Sequence, residues 1–261
     1  MNNFENKQLN RIIREEEKGL EREKMKELNK FLYNIAENLH AEGLPVKEDG
    51  RIDESGFTEI YPEKEIQNDI KRINYYKSQW GEQENRKETN GEKLEMLKTA
   101  IFNKFLGEKF IITRSTEIDD VDNKVDNVIV EKETGNIVSA FDEISEINDY
   151  RYKEKVEKIM ERNKNGASLK YGLSLDKNGE IKPSSKIEHI PLFYLALPQK
   201  QIEEGIKNFK MDSISEYEKK LFEYFILSIE TQMKGLELRN DSHPECQKKL
   251  KQLEASLKHI K

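Results

Sequence analysis

The chain has 261 residues, of which 35% are hydrophobic and 37% are charged, against about 45–50% and about 25% in an average soluble domain. The small apolar share predicts one modest core and extensive solvated helix faces. A net charge of −6 argues against a protein that coats nucleic acid by bulk charge. The single cysteine, Cys246, excludes an intramolecular disulfide and a zinc site built on several thiolates.

Targeting signals are absent from the sequence pattern. The N-terminal segment has no apolar run of the secretory type, and no stretch approaches the ~20 apolar residues that span a membrane. The low cysteine content also fits a reducing compartment. We therefore expect a cytoplasmic protein with no membrane partner.

Helical periodicity dominates residues 1–90, which we interpret as an N-terminal helical region. Apolar residues at helical spacing over residues 4–39 predict one or two amphipathic helices, and Pro62 opens another that reaches about Tyr76. Between residues 81 and 91 the sequence is almost wholly polar, which predicts a flexible linker.

Residues 91–198 are predicted to form an α/β core. A helix with a buried stripe from Leu94 to Phe105 comes first, and then the period changes from helical to alternating. Five segments rich in β-branched and aromatic residues predict five strands, with turns at Thr134-Gly135 and Asn178-Gly179 and a helix over about 149–163. The strands are 110–116, 125–132, 136–144, 168–175 and 190–198.

Residues 199–261 return to helical periodicity and form the predicted C-terminal helical region. Three helices are expected, over 199–210, 213–234 and 244–261. Ser213 followed by Glu216 matches a capping box before the second of them. The predicted fold class is therefore α/β (α+β), with a central mixed five-stranded sheet of α-β-β-β-α-β type and long flanking helices.

Acidic residues gather where the first strand ends and the second begins, and they interrupt the third strand. Asp120 belongs to the run of residues 117–122, Asp126 opens the second strand, and Asp142 and Glu143 follow an apolar stretch. If the second and third strands pair through the Thr134-Gly135 turn, Asp126 and Asp142 lie at the same end of the sheet. Converging carboxylates there, from Asp126, Asp142, Glu143 and Asp120, would bind Mg²⁺.

The segment from Gly91 to Leu197 resembles the PD-(D/E)XK nuclease superfamily. The core of that family follows the order α-β-β-β-α-β, with an Asp opening the second strand and Asp/Glu-x-Lys in the third. Asp126 and Asp142 match the two acidic positions. The resemblance implies Mg²⁺-dependent cleavage of phosphodiesters in DNA or RNA, with Glu95 or Glu92 on the preceding helix as an additional acid.

The motif lysine is missing from its usual place, since Ile144 stands there. In relatives that take this lysine from another element, it orients or activates the attacking water. Lys170 in the fourth strand is the first candidate here, and Lys124 is the second. If neither reaches the acids, the resemblance implies a non-catalytic relative.

Each acid also has a structural interpretation. The run 117–122 is equally typical of a solvated loop, and Asp126 of a residue that accepts backbone N–H bonds at the start of a strand. Asp142 could instead form a buried ion pair with Lys170. No glycine-rich phosphate loop occurs, which disfavours ATP-dependent and dinucleotide-dependent chemistry.

Two functions therefore remain open. The first is a Mg²⁺-dependent nuclease with Asp126, Asp142 and Glu95 at its site and Lys170 as its lysine. The second is a non-catalytic protein that uses its long terminal helices to bind a protein partner or to self-associate.

Overall fold

The computed structural model describes residues 3–79, 89–145, 147, 150–239 and 241–258, and for residues 3–14, 17 and 18 the backbone alone. The helices are α1 Asn3–Ala41, α2 Glu63–Gln79, α3 Asn90–Leu106, α4 Glu117–Asn123, α5 Tyr150–Arg162, α6 Gln199–Asn208, α7 Glu216–Glu237 and α8 Pro244–Lys258, with a short 3-10 helix at Glu54–Phe57. The strands are β1 Phe110–Arg114, β2 Asn127–Glu131, β3 Ile137–Ile144, β4 Ala167–Leu169, β5 Gly172–Leu175, β6 Ile181–Ser184, β7 Ile187–Ile190 and β8 Leu192–Ala196. Within these ranges, none of the helices combines the length and the apolar character that a membrane crossing requires.

A mixed four-stranded sheet forms the centre, with the strand order β1-β2-β3-β8. Neighbours β1, β2 and β3 pair antiparallel, whereas β8 runs parallel to β3. The β2–β3 hairpin turns at Gly135, whose φ of +64° suits glycine, and a Cβ there would lie 2.5 Å from the backbone nitrogen of Leu175. The mixed α/β class with flanking helices is confirmed.

The predicted strand at 168–175 does not join this sheet. It divides into β4 and β5, which pair separately with β7 and β6. The division falls at Lys170 and Tyr171, whose backbone N–H groups donate to the Asp119 carboxylate at 2.6 and 3.2 Å instead of to a strand. Pairing with β6 and β7 was not predicted because residues 181–190 are mostly half-exposed and contain Pro183, which is unfavourable in strands.

The acidic run 117–122 is a helix rather than a solvated loop. Thr116 caps α4 by accepting the Asp119 N–H at 3.1 Å, and Lys124 ends the helix in the left-handed region with φ +48°. Acidic side chains in a first helical turn interact favourably with the helix dipole. Asp119 is fully buried because it ties α4 to the β4–β5 break.

Other helix bounds differ in detail from the prediction. The first segment is the single helix α1, and α7 begins at Glu216, three residues later than predicted, with a capping box formed by Ser215 and Glu218. Most of the predicted linker at 81–91 lies outside the described residues. Its last two, Asn90 and Gly91, belong to α3, which Thr89 caps.

The sheet separates two hydrophobic clusters. One face packs against α1, α3, α6, α7 and α8, so the helices of both termini share a core with α3. The other face packs against α2, α4, α5 and the small ladders. Each helix region therefore buries its apolar stripe against the central sheet or against α3.

A β-bulge in β3 decides which side chains face which cluster. Ile129 pairs with Ser139 and Val130 with Ile137, so Val138 is an extra residue in the strand. Val138 belongs to the α3-side cluster, and Ala140 to the α5-side cluster. Regular alternation predicts that Val138, Ala140 and Asp142 share one face, and this prediction is wrong for Val138 because of the bulge.

We predict opposite effects for two helical Gly→Ala substitutions. A Cβ at Gly205 in α6 would lie 2.5 Å from Leu97 Cδ2 and 3.0 Å from Leu221 Cδ1, whereas a Cβ at Gly235 in α7 meets nothing within 4 Å. Gly205→Ala should lower the free energy of unfolding by about 1–3 kcal/mol. Gly235→Ala should raise it by about 0.5–1 kcal/mol through helix propensity. Urea unfolding followed by circular dichroism measures both, and equal effects would contradict the packing of α6 on α3.

Candidate functional site

The candidate site lies at the end of the sheet where β2 begins and β3 ends. The Asp126 N–H donates to the Phe141 carbonyl at 2.8 Å, and Asp126 Oδ2 accepts the Glu143 N–H at 2.8 Å. Because alternate residues of a strand face opposite sides, Asp142 points toward α5 and Glu143 toward α3. Asp126 therefore sits beside both acids of β3.

On the α3 side, Glu143 meets a buried lysine. Its carboxylate is almost inaccessible and pairs through Oε1 with Lys98, which is fully buried and also donates to Asn127 Oδ1 at 2.7 Å. The Lys98 ammonium lies 4.5 Å from the centre of the Phe141 ring. Glu143 Oε2 has no donor in the part of the chain that the structure describes.

Asp126 and Glu143 form a close pair of acids. Burial raises the pKa of Asp126 well above its ordinary value, and the charge of Glu143 raises it further. Two neighbouring carboxylates that are both charged repel each other. A proton or a cation shared by the pair would relieve that repulsion.

On the α5 side, Asp142 is 7% exposed and pairs through Oδ1 with Lys155. Lys155 also donates to the Glu143 carbonyl at 2.6 Å. Burial and the charge of Asp126 raise the pKa of Asp142 to about 6, although Lys155 opposes them. This carboxyl therefore changes charge close to neutral pH.

Glu95 belongs to a buried ionic network rather than to the acidic pair. Its two oxygens accept from Arg114 at 2.6 and 3.0 Å, and Arg51 approaches Oε1 at 3.4 Å. Burial tends to raise the pKa of Glu95, but Arg114 and Arg51 outweigh it and hold the pKa below its ordinary value. Glu92 binds Arg114 at 2.6 Å in the same network. Neither glutamate is free to bind a cation.

Asp120 contacts this ionic network through Arg51. Its Oδ2 lies 3.5 Å from Arg51 Nη1. Its link to the site passes through Arg51 and Glu95. The structure thus brings Asp126, Asp142 and Glu143 together and leaves Asp120 and Glu95 with the arginines.

Neither predicted lysine has a described contact with the acids. Lys170 pairs with Asp69 and Glu65 of α2, both at 2.6 Å, and Lys124 donates to the Val121 carbonyl at 2.6 Å. The lysines beside the acids are Lys98 and Lys155, which the sequence analysis missed. Lys98 leaves a sequence signal, since it interrupts an otherwise apolar and buried stretch of α3, whereas Lys155 resembles every other lysine of a charged helix.

No family model matches the chain, and comparison with curated proteins and with solved structures likewise yields no match. Throughout the described ranges, no group of three or more His, Cys, Asp or Glu side chains is arranged to hold a metal ion by itself. A cation at Asp126 and Glu143 would accordingly depend on water or substrate for its other ligands.

The Asp142 carboxyl gives a testable pH dependence. Its pKa of about 6 in the folded state exceeds the ordinary Asp value, so the folded protein binds more protons than the unfolded chain and its stability falls as pH rises from about 4 to about 6. We expect this group to lower the free energy of unfolding by about 2 kcal/mol between about pH 4.5 and 7.5. Asp142→Asn should remove that part of the decrease.

Urea unfolding at the two pH values measures the difference. Asp212→Asn, in an exposed turn, is the matched control and should keep the decrease seen in the unaltered protein. An unchanged pH dependence in Asp142→Asn would contradict the burial and charge crowding described for Asp142.

Proposed function

We propose that this protein is a divalent-cation-dependent phosphodiesterase that acts on nucleic acid, with Asp126 and Glu143 as the cation ligands. One observation carries the proposal. Glu143 Oε2 is buried without a donor from any residue that the structure describes, beside a carboxyl whose pKa is raised well above its ordinary value. Buried acids in this state are expected where a cation belongs, because an unpaired buried carboxylate is costly.

The residues present suit Mg²⁺ bound in its usual hydrated form. Mg²⁺ is commonly held by one or two carboxylates, with water and substrate phosphate as the remaining ligands. When bound, the ion would polarise a phosphoryl oxygen and lower the pKa of a bound water. Asp126 and Glu143 supply two such carboxylates, and Asp142 lies next to Asp126 as a third acid.

Two lysines assist the acids from opposite faces of the sheet. Lys98 pairs with Glu143 through Oε1, and Oε2 has no donor among the described residues. Lys155 is 38% exposed at its side chain and can reach a phosphate oxygen in exchange for Asp142. In the proposed site these two residues take the role of the motif lysine, whose place in the sequence is occupied by Ile144.

Asp142 is suited to proton transfer. Its pKa of about 6 lies near neutral pH, where a general base works best. We assign it the role of accepting a proton from the attacking water, with Lys155 stabilising its charged form. Glu95 acts indirectly, since its bonds to Arg114 and Arg51 hold α3 against β1.

The chain order of the elements supports the proposal. α3, β1, β2, β3, α5 and β8 occur in that order along the chain, with α4 inserted between β1 and β2 and the short strands β4 to β7 inserted between α5 and β8. Without these insertions the order is the α-β-β-β-α-β expected from the resemblance to PD-(D/E)XK nucleases. Asp126 immediately precedes β2, which is close to the position of the first acid in the motif. The second acid differs, since Glu143 rather than Asp142 shares the α3 face with the lysine.

The non-catalytic alternative has one observation in its favour. On the outer side of α7 and just beyond its end, Leu227 and Leu238 are 63% and 85% exposed. Such residues fit a protein partner or self-association through the terminal helices. If the protein neither cleaves nucleic acid nor binds a divalent cation, this alternative is preferred.

The proposal predicts cleavage of single- or double-stranded DNA or RNA in the presence of Mg²⁺ or Mn²⁺. Asp126→Asn and Glu143→Gln keep the shape of each side chain while removing its charge. Loss of an outer partner of a metal ligand already costs about 10–100-fold in affinity or activity, so each substitution should reduce cleavage by at least that factor. Mn²⁺ binding, measured by calorimetry, should fall with it.

Lys170→Gln is the matched control, because Lys170 pairs with α2 rather than with the acids. It should leave both cleavage and Mn²⁺ binding unchanged. Full activity in Asp126→Asn and Glu143→Gln would overturn the site assignment. Circular dichroism of each variant shows whether the fold is kept.

A further inference from the structure

Two tyrosine rings meet on the α5 face beside the acidic site, and a third tyrosine reaches the end of the same strand. Tyr194 of β8 is the register partner of Asp142, and register partners on neighbouring strands present their side chains to the same face. The ring of Tyr152 in α5 meets that of Tyr194 edge to face, with centroids 6.3 Å apart. Tyr224 of α7 donates its hydroxyl to the Ala196 carbonyl at 2.9 Å, at the end of β8.

The ring contact of Tyr152 with Tyr194 and the bond of Tyr224 to Ala196 place all three tyrosines along β8. Burial raises the pKa of Tyr194, and the neighbouring phenols of Tyr152 and Tyr224 raise it further. Their rings are not sealed in the core, since Tyr152 and Tyr194 are half-buried and Tyr224 is 43% exposed. We call Tyr152, Tyr194 and Tyr224 the tyrosine cluster.

The cluster and the acids are held by the same two elements. Tyr152 and Lys155 are three residues apart on α5 and therefore lie on one side of the helix. Lys155 binds Asp142, and Tyr152 contacts Tyr194. Partly exposed aromatic rings thus stand one strand away from the carboxyl that we assign to proton transfer.

Charge on α5 favours a polyanionic ligand over an apolar protein segment. The helix has five basic and three acidic residues in a chain whose net charge is −6. Lys155 is the basic residue that reaches the acids themselves. A ligand with both flat aromatic groups and phosphates fits this combination of rings and lysine.

We propose that the tyrosine cluster binds unpaired bases of single-stranded nucleic acid and so positions the adjacent phosphate at Asp126 and Glu143. The inference rests on the proposed function, because it names the substrate class of that same site. Base–aromatic stacking tolerates any sequence, since every base has a flat face. A duplex hides these faces in its own stack and should bind less well.

The test measures binding without cleavage. Fluorescence anisotropy of a labelled oligothymidylate of about twelve nucleotides, with EDTA present, reports binding independently of the cation. Tyr152→Ala and Tyr224→Ala should each weaken binding about tenfold, the loss of roughly one stacked base. Tyr152→Phe and Tyr224→Phe keep the rings and should bind as the unaltered protein does.

Tyr75→Ala is the matched control, since Tyr75 is an exposed ring on α2. It should leave binding unchanged, and a duplex of the same sequence should bind more weakly than the single strand. Equal binding by the two alanine variants and the unaltered protein, or equal binding of duplex and single strand, would overturn the inference.

The outcomes also separate this inference from the nuclease proposal. If Asp126→Asn loses cleavage and Mn²⁺ binding but oligonucleotide binding does not depend on the tyrosines, the proposed base-binding role of the tyrosine cluster is wrong and the nuclease proposal stands. If binding depends on the tyrosines but the protein never cleaves, the nuclease proposal is wrong and the tyrosine cluster remains a nucleic-acid binding site.

Discussion

Repulsion among three acids at one end of the sheet is the constraint on which the site depends. Asp126, Asp142 and Glu143 are held together by backbone pairing of β2 with β3, and the raised pKa values of Asp126 and Asp142 report the cost of that arrangement. The protein offsets it with one lysine from each face, Lys98 from α3 and Lys155 from α5. Both helices must therefore pack on the sheet for this end of it to persist.

Arg114 extends the same electrostatic balance toward the N-terminal region. It is fully buried and binds Glu95, Glu92 and Asp49, so it connects β1, α3 and the segment that follows α1. The neighbouring carboxylates raise its pKa despite burial, which keeps it charged. A chain with few apolar residues thus gains part of its internal order from ion pairs that are shielded from water.

Much of the fold could be predicted from the sequence because local patterns decide it. Segments rich in β-branched and aromatic residues located β1, β2, β3 and β8, and Gly135 located the hairpin that brings Asp126 to the end of β3. The segment 168–175 has the composition of a strand, yet its place in the fold depends on Asp119, a residue about fifty positions earlier. Such a long-range hydrogen bond leaves no periodic pattern in the sequence.

The candidate site was less predictable than the fold. The three acids could be found because charge at the end of an apolar strand is conspicuous, but their lysines could not be assigned from spacing alone. The segment around Lys170 has the composition of a strand, but it does not join the sheet that carries Asp142. Lys170 pairs with α2 instead. Which lysine reaches an acid depends on the angle at which each helix crosses the sheet. That angle cannot be derived from the sequence pattern.

The extra residue at Val138 has a wider consequence for this end of the molecule. One extra residue in a strand reverses the sheet face to which each later side chain points. The bulge therefore determines which carboxyl faces α3 and which faces α5. If the same residues alternated strictly from Ile137 onward, the two adjacent acids would exchange neighbours, with Asp142 toward Lys98 and Glu143 toward Lys155. The bulge takes up the extra residue and so keeps each acid beside its own lysine.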